Sequence, residues 1–224
     1  MTRSNAGESP FQIPRHLVVE GPIGVGKTSL ARRLATSLGS DLLLEGADEN
    51  PFLERFYQNP RDAAFPTQMY FLMQRAEQLR RLRQQDLFEQ TRVADFLFEK
   101  DRIFAELTLN EAEFDLYMRV FDQLAPELQP PDLVIYLQAP VEVLMERIRR
   151  RGIAHEQSIS ADYLQRLCDA YVEFFYHYDA APLLIVNATE IDLVENDGDY
   201  RQLMERLTQI RSGRHYFNPA PIAL

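Results

Sequence analysis

Residues 16–38 read HLVVEGPIGVGKTSLARRLATSL and join three segments of different character. The first, His16–Glu20, is a short apolar run with two valines, which is typical of a strand buried on both faces. The last, Lys27–Leu38, has a leucine at every fourth position from Leu30, with arginines between, and this spacing predicts an amphipathic helix. A glycine-rich turn separates the two. The stretch therefore predicts a strand, a tight turn and a helix in direct succession.

The turn itself, Gly21–Thr28, has the pattern G-x-x-x-x-G-K-[ST]. Its glycines allow backbone N–H groups to converge on phosphate oxygens, Lys27 places a cation at the β- and γ-phosphates, and the Thr28 hydroxyl can hold Mg²⁺. The sequence therefore predicts ATP and Mg²⁺ as cofactors. The predicted cofactor-binding residues are those of the turn and the start of the helix: Gly21, Pro22, Ile23, Gly24, Val25, Gly26, Lys27, Thr28 and Ser29.

Four further apolar segments predict strands, and segments with helical spacing separate them. The predicted strands are Asp41–Glu45, Thr91–Asp95, Asp132–Leu137 and Pro182–Asn187, and the predicted helices are 67–85, 114–124, 141–150 and 161–178. Because parallel neighbours require crossover connections, this alternation indicates a parallel sheet covered on both faces. We predict an α/β fold of the P-loop NTPase type, with three layers, a five-stranded parallel sheet and a small arginine-bearing lid.

The two ends of the chain differ from this alternating region. Residues 1–14 are polar and punctuated by glycine and proline, so we expect a flexible leader. Residues 15–212 form one predicted domain. Residues 213–224 contain two prolines, and we predict an irregular C-terminal tail.

Composition and charge disfavour several classes of function. The chain has 224 residues, 46% of them hydrophobic, which suffices for one domain with a well-packed core. Its formal net charge of −10 disfavours nucleic acid and anionic membranes as partners. No apolar run approaches the roughly 20 residues that cross a bilayer. The single Cys168 cannot form an internal disulfide and the opening residues lack an apolar signal, so we expect a cytoplasmic protein.

Several motifs accompany the phosphate-binding turn, which by itself occurs in switches, motors and small-molecule kinases. They read LLLEGADENPFLERFY, PTQMYFLMQR, VADFLFEKDRIFAELTL, PDLVIYLQAP, ERIRRRG and HEQSISADYL, in this order. Over residues 16–193 the chain resembles the bacterial deoxynucleoside kinases, especially the deoxyguanosine and deoxyadenosine kinase branch. The resemblance implies a homodimeric kinase domain over residues 15–212. It would transfer the γ-phosphoryl group of ATP to the 5′-hydroxyl of a deoxynucleoside, preferably a purine, for nucleotide salvage.

The resemblance also implies roles for individual residues. Glu45 matches the glutamate that accepts the proton of the 5′-hydroxyl, a task suited to a carboxylate just after the second strand. Tyr57 and Glu156 match residues that bind the 3′-hydroxyl of the sugar. Gln68 matches a glutamine that reads the edge of the base with one donor and one acceptor. Phe104 either stacks on the base or belongs to the core.

Two more matches concern the phosphates. Asp95, at the end of the third predicted strand, matches an acidic residue that helps to place Mg²⁺ at the substrate phosphates. Arg151 matches the first arginine of a lid that closes over the transferring phosphoryl group. The predicted catalytic residues are therefore Glu45, Lys27 and Arg151, and the predicted metal ligands are Thr28 and Asp95.

The sequence departs from the family pattern at two arginine positions. Phe96 follows Asp95 where most members have arginine, and Lys100 or Arg102 could supply the charge instead. Ile153 stands where the lid usually has a second arginine. These departures keep open a nucleotide-binding regulatory protein that has lost the chemistry. The other alternative is a nucleoside monophosphate kinase such as a thymidylate kinase, which needs cations for the phosphate of its acceptor.

Overall fold

A six-stranded parallel sheet organises the fold in the computed structural model, which describes residues 14–85, 91–125 and 129–218. The strands are β1 (His16–Glu20), β2 (Asp41–Leu43), β3 (Arg92–Ala94), β4 (Leu133–Gln138), β5 (Leu183–Asn187) and β6 (Arg214–Phe217). Their order across the sheet is β2-β3-β1-β4-β5-β6, and every neighbouring pair is parallel. The predicted α/β fold with a parallel sheet is confirmed.

Helices connect the strands and flank the sheet. Within the described ranges they are α1 (Lys27–Leu38), α2 (Leu53–Gln58), α3 (Pro60–Gln85), α4 (Asp101–Thr108), α5 (Glu111–Leu124), α6 (Val141–Arg151), α7 (Ala161–His177) and α8 (Asp197–Leu207). Short 3₁₀ turns occur at Ala47–Glu49, Phe98–Lys100 and Ala154–Ser158. None of these helices is long and apolar enough to cross a membrane.

The central strands form the most deeply buried part of the molecule. Val19 in β1, Val134 in β4 and Leu184 in β5 are all fully buried, as expected for interior parallel strands that are covered on both faces. Leu34 of α1 is buried in the same core, and α1 contacts both β1 and β3. This packing fixes α1 on the sheet and thereby fixes the turn that precedes it.

The sixth strand corrects the prediction for the C-terminal segment. An irregular tail over 213–224 and a sheet of five strands were expected, and both expectations are wrong because Arg214–Phe217 pairs with β5. As an edge strand it leaves its arginine and Tyr216 exposed, so it lacks the apolar run that marks a strand buried on both faces. Residues 219–224 lie outside the described ranges, as do residues 1–13 of the predicted leader.

Helix α3 is longer than its apolar spacing predicts. That spacing places the start at Thr67, directly after Pro66, whereas the helix begins at Pro60 and contains Pro66 in its interior. Ala63 and Ala64 are almost fully buried where α3 packs against α2. Tertiary packing therefore outweighs the local cost of a proline in the helix.

The carboxyl ends of β1, β2 and β3 meet at one edge of the sheet. β3 lies between the other two strands. Glu20 ends β1, Glu45 follows β2 by two residues, and Asp95 directly follows β3. Because parallel strands run in the same direction, these carboxylates share one edge, where α1 also begins. The topology thus gathers residues from distant parts of the sequence.

Candidate active site

The turn between β1 and α1 wraps around the side chain of Lys27. The Lys27 Nζ donates to the carbonyl oxygens of Gly21 at 2.7 Å and Pro22 at 3.3 Å. Burial, reinforced by the positive charge of Lys100, lowers the pKa of Lys27 to about 8. A phosphate oxygen that enters the turn can replace the carbonyl contacts, and its negative charge favours the ammonium form of the lysine.

Gly21 occupies a position that leaves no room for a side chain. Its φ is +151°, and a Cβ there would lie 2.3 Å from the carbonyl oxygen of Leu137 in β4. We expect Gly21→Ala to lower the free energy of unfolding by more than about 2 kcal/mol, because the β4 backbone is fixed within the sheet. Urea denaturation measures this loss.

Gly39→Ala is the matched control for this prediction. Gly39 also has a positive φ, of +60°, but a Cβ there would meet nothing within 4 Å. We expect it to cost only about 1 kcal/mol, the conformational part of the effect. Equal losses for the two variants would contradict the steric explanation for Gly21.

Asp95 links the phosphate-binding turn to the segment after β2. It is buried, its Oδ2 accepts a hydrogen bond from Thr28 Oγ1 at 2.5 Å, and its Oδ1 accepts one from the Glu45 backbone N–H at 2.8 Å. Thr28 and Asp95 are therefore adjacent and offer hydroxyl and carboxylate oxygens, the hard donors that Mg²⁺ prefers. The pair fits a magnesium ion bound together with nucleotide phosphates, directly or through water.

Five charged side chains at the same edge of the sheet form what we call the charge cluster. They are Glu20, Glu45, Arg75, Lys100 and Asp101, of which Glu45 is the most exposed at 19%. Arg75 contacts both Glu45 and Asp101. The Lys100 Nζ lies 3.0 Å from Glu45 Oε1 and 3.6 Å from Glu20 Oε2. Each buried charge thus has an opposite partner, which offsets the cost of removing it from water.

Arg75 and Asp101 are cluster residues that the sequence analysis missed. Arg75 is buried, its guanidinium lies 4.8 Å from the ring centre of Phe71, and burial lowers its pKa to about 10. A signal was available, because Arg75 follows Gln68 by two helical turns and therefore shares its face of α3. Asp101 carried no such signal, since an acidic residue in the first turn of a helix is ordinarily explained by the helix dipole.

Phe96, which stands where most family members have arginine, lies close to a cation of the charge cluster. Phe96 is buried, and the guanidinium of Arg75 lies 5.9 Å from the centre of its ring. Of the two residues considered as a source of the missing charge, Lys100 belongs to the charge cluster and Arg102 is exposed. A lysine therefore stands beside Glu45.

A cavity of about 430 Å³ lies against the charge cluster. Its walls include every side chain predicted to bind substrate, namely Glu45, Tyr57, Gln68, Asp95, Phe104 and Glu156. Lys27, Thr28 and Arg151 reach the same cavity. The volume lies within the range of small-molecule sites. The structure thus brings residues from motifs spread over the whole chain around one space.

Tyr57 and the segment after α6 form one part of the cavity wall. The Tyr57 ring stacks on His155 with the ring centres 5.6 Å apart, and Glu156 forms an ion pair with Arg151. Burial raises the pKa of Tyr57 well above its usual range, so its hydroxyl stays protonated and can form hydrogen bonds with a ligand hydroxyl. Tyr57, Glu156 and Arg151 therefore lie together, and their roles toward a ligand stay predictions.

Gln68 and Phe104 line another part of the cavity. Gln68 is buried, and its Nε2 lies 3.5 Å from Thr108 Oγ1, a long contact that a ligand can replace. Phe104 meets Tyr171 edge to face at 6.2 Å and packs against the core. Phe104 therefore belongs to the core and also borders the cavity, while its stacking on a base stays a prediction.

A second cavity, of about 650 Å³, adjoins the phosphate-binding turn. Residues 188–195, which follow β5, form much of its wall. Arg147 secures this segment, since it donates to the carbonyl oxygens of Ala188 at 2.7 Å and Val25 at 3.4 Å. Gly24 and Arg151 line both cavities, so the two spaces meet at the turn.

The parallel sheet, the glycine-rich turn between β1 and α1 and the two adjoining cavities define a P-loop protein with room for a nucleotide and a second small molecule. The family model described as Deoxynucleoside kinase matches residues 17–211. The chain therefore belongs to the deoxynucleoside kinase family, whose members are ATP-dependent phosphotransferases. The resemblance inferred from the motifs is confirmed.

Known proteins agree with this assignment. The chain is 32% identical over 199 residues to the deoxyguanosine kinase of Bacillus subtilis, covering 87% of this chain and 96% of the relative. It is 28% identical over 207 residues to a deoxyadenosine kinase of Lactobacillus acidophilus, covering 86% and 94%. The structure of a deoxyadenosine kinase from M. mycoides with bound dATP matches with a TM-score of 0.76 at 25% identity, covering 87% of this chain and 100% of that one.

Proposed function

We propose that this enzyme transfers the γ-phosphoryl group of ATP to the 5′-hydroxyl of a purine deoxynucleoside and thereby supplies a monophosphate for nucleotide salvage. One observation carries the proposal: Asp95 binds both Thr28 and the backbone of Glu45, so the phosphate-binding turn and the proposed base lie side by side. The relatives named deoxyguanosine kinase and deoxyadenosine kinase support the preference for purines.

The proposed mechanism assigns one task to each group around the turn. Phosphoryl transfer has a loose transition state, so the protein mainly positions the hydroxyl and neutralises oxygen charge. Glu45 accepts the proton of the 5′-hydroxyl, while Lys27 and Arg151 neutralise charge on the phosphoryl oxygens. Mg²⁺ held by Thr28 and Asp95 would add positive charge at the phosphates.

The two cavities separate the donor from the acceptor. In our proposal ATP occupies the larger cavity with its phosphates in the turn, and the deoxynucleoside occupies the smaller one. Tyr57 and Glu156 bind the sugar 3′-hydroxyl and Gln68 binds the base edge.

We also propose a homodimer, by family resemblance. The exposed Met73 and Leu116 offer apolar surface for a second subunit. They lie on helices α3 and α5, which contact each other.

The charge cluster favours a deoxynucleoside over its monophosphate as the acceptor. A monophosphate kinase needs cations that are available to the phosphate of its acceptor. Two of the cations that line this cavity are already paired with carboxylates, Arg75 with Asp101 and Glu45, and Lys100 with Glu20 and Glu45. Two others, Lys27 and Arg151, are assigned above to the transferring phosphoryl group. An uncharged acceptor suits this arrangement better.

An ATP-dependent assay over the four deoxynucleosides and their monophosphates tests the function. With Mg²⁺ present, we expect product from deoxyguanosine or deoxyadenosine. Lys27→Ala should lower kcat/KM by at least about 100-fold, because it removes the cation at the transferring phosphoryl group.

Two other outcomes would contradict the proposal. Product from monophosphates alone would establish a nucleoside monophosphate kinase. Measurable ATP binding without product from any acceptor would establish the regulatory alternative that the departures at Phe96 and Ile153 left open.

A further inference from the structure

Lys100 is a buried cation to which the mechanism above gives no task. It ends the 3₁₀ turn Phe98–Lys100, directly before α4, and it is only 1% exposed. Lys27 and Lys100 are the only lysines of the chain, against 22 arginines. A lysine ammonium is a compact point charge, in contrast to the wide planar guanidinium. Both lysines of this arginine-rich chain border the smaller cavity, which the proposed function gives to the deoxynucleoside and which we call the acceptor cavity.

Neutralising Glu20 does not by itself explain Lys100. The Glu20 carboxylate already accepts three hydrogen bonds, from the Gly21 backbone N–H at 2.8 Å, the Leu97 backbone N–H at 2.7 Å and the Tyr171 hydroxyl at 3.0 Å. These donors come from the turn after β1, the segment after β3 and helix α7. Glu20 is therefore a rigid anchor, and its contact with the Lys100 Nζ, at 3.6 Å, is longer than the 3.0 Å contact with Glu45.

Glu45 is the partner for which a precise position matters. At 19% exposure its carboxylate is the most exposed member of the charge cluster, and it lines the acceptor cavity. Lys100 and Arg75 both contact the same oxygen, Oε1. Two cations on one oxygen restrain the rotation of the carboxylate. Because they occupy Oε1, Oε2 is the oxygen that is free to accept a proton. Burial lowers the pKa of Lys100 to about 8, so its ammonium form still predominates at neutral pH.

We propose that Lys100 is a positioning residue for phosphoryl transfer, which holds Oε1 of Glu45 so that Oε2 receives the proton of the acceptor hydroxyl. The assignment rests on the proposed function. In the step, the O5′ oxygen forms a bond to the γ-phosphorus while the bond from that phosphorus to the bridging oxygen of ADP breaks. The O5′ proton passes to Oε2 and leaves to solvent after product release.

Two substitutions and a neighbouring control test the assignment. We expect Lys100→Met to lower kcat by about 10- to 100-fold, with KM for ATP and for the deoxynucleoside changed by less than about threefold. Lys100→Arg, which keeps the charge, should recover at least part of the lost kcat. Arg102→Met is the matched control, because Arg102 is exposed two residues away, and its kcat should equal that of the wild type.

The rate is expressed per nucleotide-binding site, counted by titration with ATP. A merely structural role would lower the number of sites and the melting temperature but leave kcat per site unchanged, and that result would overturn the proposal. A raised KM with unchanged kcat would also overturn it. If Lys100→Met yields no folded protein, Lys100→Gln, which is polar but shorter and without a positive charge, replaces it with the same expectation. A wild-type enzyme that phosphorylates no deoxynucleoside would instead refute the proposed function, so the two failures are distinguishable.

Discussion

Glu45→Gln is expected to lower kcat for deoxynucleoside phosphorylation by about 100- to 10,000-fold, the usual contribution of a general base. Glutamine has nearly the same shape but its amide cannot take the proton of the 5′-hydroxyl. Because the Glu45 side chain lies in the acceptor cavity, outside the phosphate-binding turn, the affinity for ATP should stay close to that of the wild type. Steady-state kinetics measures the first quantity and calorimetric titration the second.

Glu49→Gln is the control for this substitution. Glu49 lies in the neighbouring 3₁₀ turn, is exposed, and accepts a hydrogen bond from Gln74 at 3.0 Å. We expect its kcat to be unchanged. A Glu45→Gln enzyme with the kcat of the wild type would remove Glu45 from the mechanism.

Arg75→Met is expected to lower the free energy of unfolding by about 3–5 kcal/mol, because it leaves two carboxylates of the charge cluster without this partner. Asp101 is fully buried, and its ion pair with Arg75 joins α3 to the start of α4. A buried carboxylate that loses its cation must either stay charged in a nonpolar environment or take up a proton. Urea denaturation at neutral pH measures the loss.

Two further variants show whether the charge is responsible. Arg75→Met combined with Asp101→Asn removes both charges of the pair, so it should be more stable than Arg75→Met alone. Arg81→Met lies on the same helix but breaks only an exposed ion pair with Glu77, and we expect a loss below about 1 kcal/mol. If Arg75→Met cost no more than Arg81→Met, the charge cluster would contribute little to stability.

Much of the fold could be predicted from the sequence, because its main signals are local. The five predicted strands fall within one or two residues of their predicted bounds. The signal is clearest for β1 and β4, because a strand buried on both faces requires a continuous apolar run. The edge strand Arg214–Phe217 has exposed and half-buried residues in alternation and gains its structure from pairing with β5. The first turns of α3 likewise depend on contacts with α2 that no local pattern records.

The candidate site divides in the same way. The residues carried over from the motifs, Glu45, Tyr57, Gln68 and Glu156 among them, line one cavity, because the motifs preserve their order and spacing. The sequence offered Lys100 only as one of two possible cations, and the spacing of Arg75 from Gln68 did not show that its side chain is buried against carboxylates. A charged residue on a helix or turn is usually solvated, and only burial against a partner shows that it has another task.

By itself the sequence determined the phosphate-binding turn, because eight consecutive residues between a strand and a helix supply the loop, the cation and the hydroxyl. The charge cluster was decided by tertiary structure alone. Its members come from β1, the segment after β2, α3, the 3₁₀ turn after β3 and the start of α4, and they meet because the sheet has the order β2-β3-β1. Strand order and packing decide whether a cation that is distant along the chain lies next to a carboxylate. The Coulomb attraction between buried groups depends on their distance in space, a few ångströms here, and not on their separation along the chain.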